Sequence, residues 1–173
     1  MRKNFGAKPY AYPQPVFILA AWGGISDDRE LSLCISASHK TTENLLAHGA
    51  FTVSMADAAH TAACDYVGIV SAKNTPDKFA RAGFHAEKSA FVDAPLITEL
   101  PIAVECRVKS YDPETGRLVG EIVNVSVEES ALDAAGLPDV AKIRPITFDP
   151  FHNTYVALGE TVGQAFHDGK ALR

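Results

Sequence analysis

Apolar and polar positions alternate, or gather into β-branched runs, over 15–20, 31–36, 51–55, 102–111 and 117–127, and each of these stretches is a predicted strand. The last two read as a hairpin, because Asp112-Pro113-Glu114-Thr115-Gly116 between them is turn chemistry throughout. Helical spacing takes over elsewhere. The segment 41–48 is expected to open on a threonine cap and close on Gly49, and 56–69 carries apolar residues at helical intervals. The segment 76–82 starts with proline in a first-turn position and ends on Gly83, and 160–168 is a fourth candidate. Five or more strands, with the longest pair joined directly, favour an antiparallel sheet over βαβ winding. Closing that sheet into a β-barrel with peripheral helices removes its exposed edges.

One stretch does not fit a simple strand. Pro15-Val16-Phe17-Ile18-Leu19-Ala20-Ala21-Trp22-Gly23-Gly24 passes without any turn signal from an apolar run into the single tryptophan and a glycine pair.

Composition narrows the class. With 173 residues and no internal repeat or linker, the chain is expected to be one domain over 1–173, large enough to need no disulfide or metal staple. Apolar residues make up 47 % and charged residues 21 %, and no apolar run approaches the roughly 20 residues that span a bilayer. The basic N-terminus is followed by Pro9, Pro13 and Pro15 rather than by a signal core, so a cytoplasmic protein is expected. The net charge of −5 arises from 16 basic and 21 acidic residues mixed along the chain, which argues against nucleic-acid binding. Cys34, Cys64 and Cys106 are too scattered for a disulfide framework or a zinc site and are expected to be buried, reduced thiols. The histidines lack metal-ligand spacing, so no metal is expected. No nucleophile elbow, activated cysteine or Rossmann glycine motif occurs, and no catalytic acid or base is assigned.

The segment Ser36-Ala37-Ser38-His39-Lys40-Thr41-Thr42-Glu43-Asn44-Leu45 is the most informative, because a strand ends there and a helix begins. Free backbone N–H groups, the positive end of the helix dipole, the hydroxyls of Ser38, Thr41 and Thr42 and the Lys40 cation would together cradle a phosphate. The same residues also serve as ordinary caps on a solvated helix start, and both readings stay open. Pro76-Asp77-Lys78-Phe79 is a second helix start, where Lys78 either reaches a ligand or lies over a core phenylalanine. A phosphate cradle without a Rossmann turn fits a flavin, which carries its own redox chemistry and asks the protein for binding and orientation.

Several segments together, Ala20-Ala21-Trp22-Gly23-Gly24-Ile25-Ser26, Ser38-His39-Lys40-Thr41-Thr42-Glu43-Asn44, Cys64-Asp65-Tyr66-Val67-Gly68-Ile69-Val70-Ser71, Pro76-Asp77-Lys78-Phe79 and Gly120-Glu121-Ile122-Val123, resemble the flavin reductase-like, FMN-binding split-barrel family. Within it the likeness is to the flavoredoxin branch, and it covers nearly the whole chain in the right order. The resemblance implies a mainly-β, Greek-key split barrel that forms a homodimer with FMN near the subunit interface. It implies further that Ser38, His39, Lys40, Thr41 and Thr42 surround the phosphate, that Asn44 supports that loop, and that Trp22 lies by the flavin while Gly23 permits close backbone approach. Lys78 would be a long-range contact, and the C-terminal loop near Phe148 and Phe151 would close over the ring. The activity implied is an oxidoreductase that passes electrons from NAD(P)H or a protein donor through flavin to an acceptor: free flavin, a ferric complex or a redox partner protein. The alternatives are a non-enzymatic electron carrier or a barrel that has lost flavin binding.

The chain departs from the family in one place. Members carry a hairpin before Ala-Ala-Trp with a Pro-Asn-x-Met-like segment, whereas here Leu19-Ala20 runs directly into Ala21-Trp22. Either the hairpin is deleted, which cuts back one wall of the flavin site, or it belongs to the protein and is missing from the sequence as read. The intact strand ends on both sides favour the second reading, which a measured mass matching 18.5 kDa would exclude.

Overall fold

The computed structural model describes residues 1–7, 24–27, 29–149 and 152–173. The expected strand over 15–20, the Ala20–Ala21 junction, Trp22, Gly23 and Phe151 lie outside the described residues.

Short strands β1 (Arg2–Asn4), β2 (Gly24–Asp27) and β3 (Glu30–Cys34) are followed by helix α1 (Lys40–His48) and strand β4 (Ala50–Ser54). Helices α2 (Thr61–Ile69) and α3 (Lys78–Arg81) precede the short strands β5 (Ala86–Lys88) and β6 (Pro95–Ile97). The long strands β7 (Ile102–Tyr111) and β8 (Arg117–Glu128) come next, then helix α4 (Val140–Ile143) and the hairpin β9 (Ile146–Asp149) and β10 (Thr154–Ala157). The main sheet runs β2-β3-β8-β7-β4, all antiparallel, and β1 joins β8 beyond the end of its pairing with β3.

The β7–β8 hairpin forms as its turn chemistry requires. The Asp112 amide donates to the Arg117 carbonyl at 2.9 Å, and Gly116, at φ 71°, donates to the Asp112 carbonyl at 2.8 Å. The Asp112 carboxylate accepts from the Glu114 amide and the Thr115 hydroxyl, which closes the turn locally.

Alternation along these strands sorts two faces. One carries Ile102, Val104, Cys106, Ile122, Val125 and Val127 into the main apolar core with Leu31, Phe51 and Leu118. The other face is buried as well, but it is polar: Glu105 and Asn124 pair across β7 and β8, and Ser126 lies opposite Ala103. The Asn124 amide donates to Glu105 Oε1 at 2.7 Å and to Asn4 Oδ1 at 3.1 Å, its carbonyl accepts from the Gly6 amide, and the Ser89 hydroxyl donates to the second Glu105 oxygen. The N-terminal segment and the 89–94 loop are thus pinned onto the sheet by a hydrogen-bonded network, as burial of a carboxylate demands. Gly120 has a packing reason: a Cβ there would overlap the Phe51 ring.

Several expected boundaries are corrected. The helix expected over 56–69 begins at Thr61, because 56–58 are drawn into pairing with 144–146: Ala58 donates to Arg144 and Ile146 donates to Ala56. The helix α1 starts at Lys40 rather than on a threonine cap; His39 holds the cap position without a side-chain bond, and Gly49 closes the helix at φ 63°. The expected 76–82 helix shrinks to Lys78–Arg81, with Gly83 at φ 77°. The segment 160–168 is not helical; it follows Gly159 and contains Gly163, poor helix formers, and only a 3-10 turn forms, at Asp168–Leu172. Cys106 is buried and Cys64 half-buried, but Cys34 is exposed at the end of β3, contrary to expectation.

Candidate functional site

β3 delivers the chain at Cys34, and Ile35 donates to Gly116 in the β7–β8 turn at 2.8 Å, which fixes where the following loop leaves the sheet. That loop folds on itself: His39 donates its amide to Ser36 O at 3.1 Å, and the hydroxyls of Ser36 and Ser38 meet at 2.9 Å. Thr42 is buried, and its hydroxyl donates back to Ser36 O at 2.7 Å, so it clamps the loop rather than facing solvent. Ser38, His39, Lys40 and Thr41 remain exposed. The amides of Thr42 and Glu43 both turn to the His39 carbonyl, which leaves the Lys40 and Thr41 amides without an acceptor among the described residues. Two backbone donors, two exposed hydroxyls and a cation therefore share the start of α1.

A second cation joins them. Glu43 lies 2.9 Å from Lys40 Nζ and 2.8 Å from Lys73 Nζ, which ties the loop after α2 to the first turn of α1. Hydrogen bonds from Lys73 and then from Lys40 hold the Glu43 carboxyl at about 2, well below its ordinary range. Lys73 stands in an undistinguished polar loop, and only the chain's return past α1 gives it this place.

The other expected site residues are placed as follows. Asn44 is exposed and lines a cavity of about 310 Å³ with His48, Lys88 and Asp93, with no hydrogen bond to the 36–39 loop among the described residues. Lys78 donates to the Val67 carbonyl at 2.6 Å and to the Val70 carbonyl at 2.7 Å, where it caps the C-terminal end of α2. Phe148, 53 % exposed on β9, stands 5.9 Å from the Tyr155 ring, and the Tyr155 hydroxyl donates to Asp65 on α2 at 2.8 Å. That bond to Asp65 pushes the Tyr155 phenol above its ordinary value. The structure thus joins the start of α1 to the loop after α2, and the aromatic β9–β10 hairpin to α2 itself.

Comparison with known proteins decides the family. The model of the flavin reductase like domain matches residues 24–147. The chain belongs to that family. It is 36 % identical to flavoredoxin of Desulfovibrio vulgaris (Miyazaki F), with a TM-score of 0.80 over 87 % of this chain and 82 % of that one. Flavoredoxin from Methanosarcina acetivorans is 28 % identical, with a TM-score of 0.79 over 88 % and 82 %. An uncharacterized protein of Aquifex aeolicus (strain VF5) is 35 % identical over 72 residues, which is 40 % of this chain and 37 % of that relative's own length. The fold is accordingly a mainly-β split barrel, on the flavoredoxin side of the family, and membership connects the chain with flavin-linked oxidoreduction. In the Gly120-Glu121-Ile122-Val123 stretch of the family likeness, Gly120 leaves room for the Phe51 ring.

Two features escaped the sequence reading. Lys73 had no spacing signal linking it to α1. Asp57 and His60 did have one, an acidic residue three positions before the residue that caps the helix, but the expected helix boundary ran across it.

Proposed function

We propose that this chain binds FMN, with its phosphate at the start of α1, and works as an oxidoreductase that moves electrons from NAD(P)H or a protein donor to an acceptor. The observation that carries the reading is the pair of amides at Lys40 and Thr41 that have no acceptor among the described residues, flanked by the Ser38 and Thr41 hydroxyls and by two lysines. Such a donor set suits a dianion, because oriented N–H groups and ammonium groups bond phosphate oxygens at little reorganisation cost. Thr42 contributes indirectly, by holding the loop that presents Ser38.

When bound, FMN supplies the redox chemistry, and the protein supplies binding, orientation and electrostatics. Phe148 and Tyr155 offer an apolar wall, held against α2 through Asp65. The half-exposed Phe148 and the almost fully exposed Val162, Phe166 and Leu172 are apolar surface that a second copy of the chain could cover, so a homodimer is part of the proposal. The test is an absorbance spectrum after FMN is added and the sample desalted. Retained flavin bands support the reading, and a colourless protein overturns it. Steady NAD(P)H oxidation with free flavin or a ferric complex then marks an enzyme, whereas reduction by a redox protein alone marks a carrier.

A further inference from the structure

We propose that the segment 159–173 is an arm exchanged with a second copy of the chain, its Val162, Phe166 and Leu172 laid on the partner's β9–β10 hairpin; this rests on the homodimer reading above and names how the two copies engage. The Leu158 amide donates to the Pro145 carbonyl at 2.9 Å, and among the described residues no later hydrogen bond ties the chain to the body of the molecule. Every residue from 159 to 173 is exposed. The segment nevertheless holds a shape through its own bonds: the Gln164 amide donates to Asp168 Oδ2 at 2.7 Å, and the Lys170 amide to the His167 carbonyl at 2.9 Å. Phe166 sits at φ 62°, a backbone conformation that its Cβ disfavours, and it is 99 % exposed. Burial within its own chain does not offset the cost of fixing these residues.

The surface that fits the arm lies on the hairpin from which the arm springs. Phe148, Tyr155 and Val156 are each about half exposed, and the arm of the same chain leaves all three uncovered. A single two-fold operation gives each bare hairpin an arm and each bare arm a hairpin, whereas an unrelated partner needs a separate complement to each. The area suits that assembly: these six side chains offer roughly 700–800 Å² per copy, close to one partner's share of a standard stable interface. Charge agrees with it, because Lys170 and Arg173 on the arm have no ion pair among the described residues, and Asp149 and Asp65 stand on the hairpin side. In the pair, the partner's Phe166 joins Phe148 and Tyr155, so each aromatic wall is completed by the other copy.

Light scattering on the flavin-free full chain tests the assembly independently of FMN, and a mass about twice 18.5 kDa is expected. Val162→Asp combined with Phe166→Asp, both at fully exposed positions of their own chain, should raise the dimer dissociation constant at least about a hundredfold, while circular dichroism melting of the monomer shows that the variant folds. A chain carrying Phe148→Cys and Phe166→Cys, with Cys34→Ser, should oxidise to a covalent dimer on a non-reducing gel, its 148–166 disulfide located by peptide mass. A dimer indifferent to the two aspartates overturns the exchange and leaves the homodimer standing. A disulfide closed within one chain, or no 148–166 disulfide at all, likewise overturns the exchange, and a monomeric parent chain overturns both.

Discussion

The Lys73 ammonium lies 2.8 Å from the Glu43 carboxylate, and through it the loop after α2 is anchored to the first turn of α1. Lys40 meets the other oxygen of the same carboxylate, so one acidic residue holds two cations beside two amides that have no acceptor among the described residues. The pairing explains why two ammonium groups can sit together on an exposed surface without mutual repulsion opening the loop.

The proposed phosphate contacts can be removed together. Lys40→Ala combined with Thr41→Ala is expected to weaken FMN binding by about 2 kcal/mol or more, through loss of charge-assisted hydrogen bonds. A flavin fluorescence titration measures it, and unchanged affinity would take these residues out of the site.

Replacing Glu43 by Gln acts in the opposite direction. It removes an anion from the cradle and frees both lysines, so FMN affinity should rise by about threefold to tenfold at low ionic strength, with the gain shrinking in high salt. The same variant tests acid stability. The Glu43 carboxyl is depressed in the folded state to about 2, so its stabilising contribution is present above its ordinary value of 4.5 and is lost as pH falls through about 2. Melting temperature plotted against pH should therefore fall less steeply across that window in Glu43→Gln.

Lys78 caps the Val67 and Val70 carbonyls at the end of α2. Lys78→Met keeps the stem and deletes both bonds, which should cost about 2 kcal/mol and lower the melting temperature by about 4–8 °C. A melting temperature equal to that of the parent protein would show that the cap contributes nothing.

Asn124 is the hub of the buried polar face and binds Glu105, Asn4 and the Gly6 amide. Asn124→Ala strands a buried carboxylate and is expected to destabilise by about 3 kcal/mol, measured by urea unfolding. Glu105→Gln in the same protein should restore part of that loss, because a neutral amide is cheaper to bury than a carboxylate.

The three thiols should separate by reactivity in the native protein. Exposed Cys34 is expected to react with a disulfide reagent within minutes at pH 8. Cys64 should be slower, because burial and then the nearby Asp57 charge raise its thiol. Cys106, pushed up to about 12 by burial and by Glu105, should react only on unfolding. Equal rates at all three would contradict the burial pattern.

Local chemistry was legible where local interactions suffice. The Asp112–Gly116 turn, the span of β7 and the helix closing on Gly49 are each dictated by residues within a few positions of one another, so periodicity and turn residues read them correctly. The helix start at Thr61 was misread because 56–58 are captured by 144–146, a pairing that no local window contains. Of the candidate site, the cluster from Ser38 to Thr42 was visible as a helix start, but the inward turn of the Thr42 hydroxyl was not.

The chain's order of residues is enough to specify a mainly-β domain with a long hairpin, a polar loop opening a helix, and a family likeness with a cofactor class attached. Long-range closure set the rest: Lys73 reaching Glu43, Tyr155 reaching Asp65, and Glu105 buried between Asn124 and Ser89. These pairs are remote in sequence, and each exists only because sheet register and loop return bring its partners within hydrogen-bond reach. Spacing along the chain records neither.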